Sequence, residues 1–175
     1  QSKNHEKILE NIDIGGPTLV RAAAKNYNYV TIVTSISQYE ELIKNLNENK
    51  GATSLEFRKK AALEAFGETA YYESLIFNYF KDISPKEDSK KIILGLNKFE
   101  KLRYGENPHQ NGAIYTTSKN LGLEKLNGKQ LSYNNYADIF SALQISKSFP
   151  NNKGTVIIKH GNPCGASIHK NNNES

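Results

Sequence analysis

Residues 11–26 read Asn11-Ile12-Asp13-Ile14-Gly15-Gly16-Pro17-Thr18-Leu19-Val20-Arg21-Ala22-Ala23-Ala24-Lys25-Asn26. Two glycines followed by a proline mark a turn entering a helix, and Pro17 suits the first helical position, where its missing N–H is no loss. Thr18 to Asn26, rich in alanine and leucine, is predicted to be that helix. Tyr29 to Thr34, rich in Val, Ile and Thr, then reads as a short buried strand. Upstream, Lys3 to Glu10 reads as a first helical stretch. The turn also has a chemical reading. Glycines let a ligand approach the backbone, and a helix N-terminus offers unpaired N–H groups to an anion. Asp13 lies just before that point, and Arg21 and Lys25, four apart, share a helix face. Plain turn chemistry accounts for the same residues, so both readings stand.

Working outward, Ser37-Gln38-Tyr39-Glu40 has the form of a capping box for a helix to about Asn47. Thr53-Ser54-Leu55-Glu56 has the same form and opens a long helix towards Phe80. Leu55, Ala62, Phe66, Ala70, Phe77 and Phe80 are spaced as one apolar stripe on it, read as core packing. The polar stretch from about Asp82 to Lys91 reads as a linker. Beyond it, strands are expected at Ile92 to Leu96, Ala113 to Thr116 and Thr155 to Ile158, and a helix at Asp138 to Ser148. Asn171 to Ser175 reads as a polar tail.

Composition narrows the class. At 37% hydrophobic and 10% aromatic, the 175 residues hold enough apolar material for a packed core. No apolar run approaches the roughly 18 residues needed to cross a bilayer, and no secretory leader is recognisable. The chain opens at Gln1 and contains no Met, which reads as a fragment. The single Cys164 excludes an internal disulfide and suits a reducing cytoplasm. The net charge of +5 invites a nucleic-acid reading. Yet only Arg21, Arg58 and Arg103 are arginines, the usual forks for bases and phosphates, and the lysines are interleaved with glutamates as on a solvated face.

Three further stretches are denser in polar and glycine residues than packing requires. Leu102-Arg103-Tyr104-Gly105-Glu106-Asn107-Pro108-His109-Gln110 joins a guanidinium fork to a phenol, with Gly105 and Pro108 shaping the loop. It is a ligand loop or simply a polar loop after a strand. Asn127-Gly128-Lys129 and then Leu131-Ser132-Tyr133-Asn134-Asn135 lead into a helix, where an amide pair caps the helix or reads a heterocycle's edge. Ile158-Lys159-His160-Gly161-Asn162-Pro163-Cys164-Gly165 ends a strand, expected to be buried, on a Lys-His pair in a glycine-rich turn. A cation beside an imidazole favours its neutral form, as a general base requires, and can steady a developing oxyanion. A structural histidine is the alternative. Cys164 has no evident catalytic partner and reads as a packed thiol. His5, His109, His160, His169 and Cys164 lack metal-ligand spacing, and no Walker loop or dinucleotide fingerprint is present.

These four segments, in this order, resemble the bifunctional AICAR formyltransferase/IMP cyclohydrolase family, over nearly the whole chain. The resemblance implies an α/β fold. Residues 1–82 are then the C-terminal part of a methylglyoxal-synthase-like three-layer cyclohydrolase domain, and 83–90 a linker. Residues 91–175 are the start of a cytidine-deaminase-like α/β transferase domain. It implies the last two steps of IMP synthesis: formyl transfer from 10-formyltetrahydrofolate to AICAR, then dehydrative closure of FAICAR to IMP. By motif, Asp13 and Lys25 match cyclohydrolase active-site positions, facing each other across the substrate, with Gly15 and Gly16 against the nucleotide. Arg103, Tyr104 and Asn135 match substrate contacts, and Lys159 and His160 the catalytic pair of the transferase.

The implied ligands are AICAR, FAICAR, IMP and the folate cosubstrate. No catalytic metal, no nucleic acid and no membrane partner are expected, and the parent enzyme is a cytoplasmic homodimer. Both sites are incomplete here, so the chain alone is expected to catalyse neither reaction well. The competing readings are a non-catalytic nucleotide- or anion-binding module and a nonspecific nucleic-acid binder.

Overall fold

Residues 5–84, 89–149 and 154–168 are described by the computed structural model. The chain divides into two compact units, Gln1–Gly95 and Leu96–Ser175, and its secondary structure is mixed α/β.

The regular elements among the first unit's described residues are all helical: α1 (His5–Glu10), α2 (Gly15–Lys25), a single 3-10 turn at Ile36–Gln38, α3 (Tyr39–Glu48) and α4 (Leu55–Ile83). Of the expected first helix, residues 3 and 4 lie outside the described residues. α2 begins two residues before Pro17, at Gly15. Asp13 explains the early start: its Oδ1 accepts from the Gly16 N–H at 3.0 Å and takes up one of the open donors of the first turn.

The two capping boxes shift along the chain. Ser35, not Ser37, closes one with Gln38, and Gln38 Oε1 also accepts from Thr34 N at 2.9 Å. Ser54, not Thr53, caps α4, accepting from Phe57 N at 3.1 Å. Thr53 is engaged elsewhere, its hydroxyl 2.6 Å from that of Thr31. Adjacent hydroxyls look alike in sequence; backbone geometry decides which becomes the cap.

The predicted strand at Tyr29 to Thr34 is not formed. The segment is extended but has no ladder partner among the described residues, and the Thr34 N–H is met by the buried Gln38 side chain. Arg58 secures its start, donating from Nε to Tyr27 O at 2.7 Å and from Nη2 to Asn28 O at 2.9 Å.

The core of this unit also differs from the predicted stripe. Of that stripe only Ala62 is buried, whereas Leu55 and Phe66 are 44% and 38% exposed. The buried face of α4 is made of Phe57, Ala61, Ala62, Ala65 and Thr69, and packs on α2 through Ala24, with Val20, Tyr27 and Ile32 around it. Alanines let two helices approach closely, so small side chains mark the contact and large ones flank it. Phe66 instead lies under Arg21, whose guanidinium carbon is 5.6 Å from the ring centroid.

Of the predicted linker, residues 85–88 lie outside the described residues. The strand expected at Ile92 to Leu96 is replaced by an irregular segment running along α4. Asn78 Nδ2 donates to Ile93 O at 3.1 Å, and Gly95 sits so close to Ser74 that a Cβ would collide with its hydroxyl.

In the second unit the first strand therefore comes later, β1 (Asn97–Lys101), antiparallel to β2 (Ala113–Thr116), which forms as predicted. α5 (Tyr133–Ser146) starts five residues before the predicted Asp138, because Ser132 and Asn135 form a reciprocal capping box. β3 (Thr155–Lys159) and β4 (Asn162–Ser167) form a hairpin that packs against α5. β3 alternates exposed and half-buried positions and is not the buried strand expected, since its two-stranded sheet is covered on one side only. β4 lies where the sequence predicts a glycine-rich turn; a register shift at Cys164 accommodates Pro163 and Gly165, both poor strand formers. Cys164 is exposed, correcting the packed-thiol reading. Tyr136, buried on α5, donates to Glu100 Oε2 at 3.0 Å and ties the helix to β1. Burial first, and the Glu100 carboxylate second, push its phenol above the usual range. The predicted tail at residues 171–175 lies outside the described residues.

Candidate functional site

Each unit presents a cleft built on the quoted motifs. In the first, a cleft of about 330 Å³ lies at the start of α2, bordered by Asp13, Gly16 and Pro17 and, from α4, by Glu68, Thr69 and Tyr72. Asp13 is held from both sides: its backbone N–H donates to the Tyr72 hydroxyl at 2.8 Å, and its carboxylate caps Gly16. A Cβ at Gly16 would stand 2.3 Å from Asp13 Oδ2, so a side chain there displaces that carboxylate. Gly15 carries no such restriction, with open space where its Cβ would be.

Lys25 is not part of this cleft. It ends α2, and ten helical rises put it about 15 Å from Gly15. Tyr72 and Glu68 are cleft residues that the sequence reading missed. Their spacing of four on α4 was the available signal, hidden by the wrong choice of buried face.

The second unit brings three separated motifs together around a cleft of about 360 Å³, lined by Glu106, Asn134, Ala137, Asp138, His160 and Gly161. The backbone joins the first two. Arg103 N donates to Leu131 O at 3.0 Å, Tyr133 N to Tyr104 O at 3.2 Å, and Asn134 Nδ2 to Glu106 O at 3.1 Å. The 102–110 loop closes on itself through Gly105 N to Gln110 O at 2.8 Å, and a Cβ added at Gly112 would stand 3.2 Å from the Gly105 Cα.

Arg103 and Tyr104 form a pair. The guanidinium carbon is 4.9 Å from the ring centroid, and Nη2 donates to the phenolic oxygen at 3.2 Å. Hydrogen bonding by Ser132 first, and by Arg103 second, draws the Tyr104 phenol below its usual range. Asn135, predicted as a substrate contact, spends its Oδ1 on the capping box, accepting from Ser132 N and Oγ, each at 3.0 Å. Its neighbour Asn134 is the amide that lines the cleft.

His160 and Gly161 are the two loop residues of the β3–β4 hairpin, between paired Lys159 and Asn162, with φ of 54° and 74°. Positive φ at both positions is the type I′ arrangement, whose twist matches that of the strands. The turn presents His160 to the cleft, while Lys159, exposed at the end of β3, is not among the lining residues. Asp138, missed in the sequence, reaches the turn from α5, its Oδ1 accepting from the Gly161 N–H at 2.7 Å. An imidazole, two carboxylates and an amide can move a proton at, and orient, a nitrogen-rich polar ligand. Among the described residues no group of three His, Cys, Asp or Glu is gathered to hold a metal ion, and no helix is long and apolar enough to cross a membrane.

The family described as the AICARFT/IMPCHase bienzyme matches residues 23–175. The bifunctional purine biosynthesis protein PurH of Caldicellulosiruptor saccharolyticus is 45% identical over 170 residues, and that of Rippkaea orientalis 44% over 170. Both alignments cover 93% of this chain and 33% of the relative. The PurH of Listeria monocytogenes is 42% identical over 175 residues, covering 97% of this chain and 34% of its own length. The chain thus spans about a third of the length of the curated relatives it matches.

Proposed function

The chain belongs to the AICARFT/IMPCHase bienzyme family, and on that premise we propose that it carries part of each of two sites for the closing steps of IMP synthesis. Residues 1–82 form the C-terminal part of a methylglyoxal-synthase-like cyclohydrolase domain. Residues 83–90 link it to 91–175, the start of a cytidine-deaminase-like transferase domain. The carrying observation is the second cleft, where residues from the motifs at 102–110, 131–135 and 158–165 converge.

In formyl transfer, the AICAR amine attacks the formyl carbon of 10-formyltetrahydrofolate. The bond from that carbon to the folate N10 breaks, N10 takes up a proton, and the amine loses one. The amine is a weak nucleophile because its lone pair is delocalised into the imidazole. His160, presented to the cleft, is the base, and Lys159 stabilises the charge developing on the formyl oxygen. Arg103 and Tyr104 bind the nucleotide as a stacked pair, the guanidinium suited to its phosphate. Asn135 contacts AICAR through Nδ2, its Oδ1 being held by Ser132.

In ring closure, the carboxamide nitrogen of FAICAR attacks the formyl carbon and water leaves. Gly15 and Gly16 lie against the nucleotide and Asp13 acts on the reacting groups at the start of α2. Lys25, at the far end of the helix, is the second active-site group that the family motif assigns to ring closure. Neither reaction needs a metal in this reading. The working protein is a cytoplasmic homodimer, with no nucleic acid or membrane partner. The 175-residue chain by itself turns over neither reaction appreciably.

The test is calorimetric binding of AICAR to the expressed chain, with formyl transfer followed in the full-length protein that carries it. AICAR binding weakened by Arg103→Ala, and transfer abolished by His160→Ala, are the expected results. Binding without transfer in the full-length protein makes it a non-catalytic nucleotide-binding module instead.

A further inference from the structure

We propose that Asp138 is a positioning residue for His160, acting through the Gly161 backbone; this deepens the formyl-transfer reading and rests on it. A type I′ turn uses the N–H of its fourth residue, here Asn162, to close on the carbonyl of its first, Lys159. The N–H of its third residue, Gly161, is not used within the turn. Asp138 Oδ1 accepts it at 2.7 Å. His160 occupies the second position of the turn at a φ of 54°, a backbone region uncommon for residues other than glycine, in which histidine is one of the more frequent exceptions. The asparagine or glycine that normally favours such a turn is absent there.

The anchor is itself fixed. α5 is capped by Ser132 and Asn135, and one turn later Tyr136 binds Glu100 on β1. Asp138 sits two residues beyond Tyr136, half-buried and on the wall of the cleft that His160 enters. A rigid helix thereby sets the backbone of the residue that places the imidazole. Catalytic geometry is sensitive at this scale: a shift of about 1 Å in a reacting group costs roughly 100-fold in rate.

The experiment compares wild type, Asp138→Ala and Asp138→Asn in the full-length protein carrying this chain, with kcat, KM for AICAR and hydrogen exchange at the Gly161 amide as readouts. Asp138→Ala is expected to lower kcat by roughly 10- to 100-fold while KM for AICAR changes less than about twofold, and to speed exchange at Gly161. Asn keeps an acceptor at Oδ1, so Asp138→Asn should recover most of kcat and of the amide protection. Wild-type kcat and unchanged exchange in Asp138→Ala overturn the proposal. So does an Asn variant as impaired as the Ala variant, since the negative charge and not the placement would then be the contribution. If Asp138→Ala does not fold, the Asn variant and wild type still decide: protection retained with kcat retained supports the proposal, and protection retained with kcat lost overturns it. A wild-type protein that transfers no formyl group defeats the assigned function instead, and Gly161 exchange alone then tells whether Asp138 holds the turn.

Discussion

A methyl group on Gly16 would stand 2.3 Å from Asp13 Oδ2, while the same group on Gly15 would meet nothing within 4 Å. Two adjacent glycines thus differ in kind. Gly16→Ala should push the Asp13 carboxylate off the Gly16 N–H and lower ring closure by roughly 10-fold or more, since the cap and the carboxylate proposed for ring closure move together. Gly15→Ala should leave the fold intact and weaken nucleotide binding alone, because only a ligand would need that space. Thermal unfolding beside FAICAR turnover, both in the full-length protein that carries this chain, separates the two. A Gly15→Ala protein with unchanged nucleotide affinity would remove Gly15 from the site.

Much of this arrangement was legible in the residues. Pro17 behind two glycines announced α2, β-branched runs announced β2 and β3, and the four quoted motifs contain most of the cleft walls. Other features were hidden for physical reasons. A strand exists only with a partner, so the Val-rich stretch at 29–34 could not reveal that Gln38 would satisfy its Thr34 N–H. The α2–α4 contact is made of alanines, whereas sequence patterns give most weight to large apolar residues such as Phe66 and Leu55. Asp138 and Tyr72 are ordinary helix residues until packing carries them to Gly161 and Asp13, 23 and 59 positions away.

The contact between α2 and α4 yields a stability prediction. Ala65 is fully buried against Ala24, so Ala65→Leu has to separate the helices and should cost about 1–3 kcal/mol. Leu63, two residues earlier and 75% exposed, is the control, and Leu63→Ala should stay within about 0.5 kcal/mol. Urea unfolding followed by circular dichroism measures both. Equal midpoints would show that the helices are not in contact at Ala65.

Tyr104 should ionise at lower pH than an ordinary tyrosine, since Ser132 and Arg103 favour its phenolate. The sign for stability follows. A depressed folded-state value contributes stability that is fully present above the ordinary phenol range and is lost as pH falls through the lowered value, so nothing is contributed at neutral pH. Arg103→Gln removes one donor and the guanidinium charge and should move the ionisation back upward. A phenolate absorbance titration, with Tyr104→Phe identifying the signal, reads it; coincident curves for Arg103→Gln and wild type would remove Arg103 as a cause.

His160 permits a test that separates chemistry from backbone. At a φ of 54° glycine is unstrained, whereas alanine is strained by about 1 kcal/mol. His160→Gly should therefore be more stable than His160→Ala by that amount, and at least as stable as wild type, with the hairpin register of Lys159 and Asn162 kept. Both variants lack the imidazole, so formyl transfer by the full-length protein carrying this chain should fall by roughly 100- to 10,000-fold in each, the usual contribution of a general base. Added imidazole should restore part of it in the glycine variant, whose turn is undisturbed and whose cleft is enlarged. The comparison is informative because stability and activity are expected to diverge: the glycine variant is the better-folded protein and a poor enzyme. Full formyl transfer by His160→Gly would exclude the imidazole as the base and return the turn to a purely structural role.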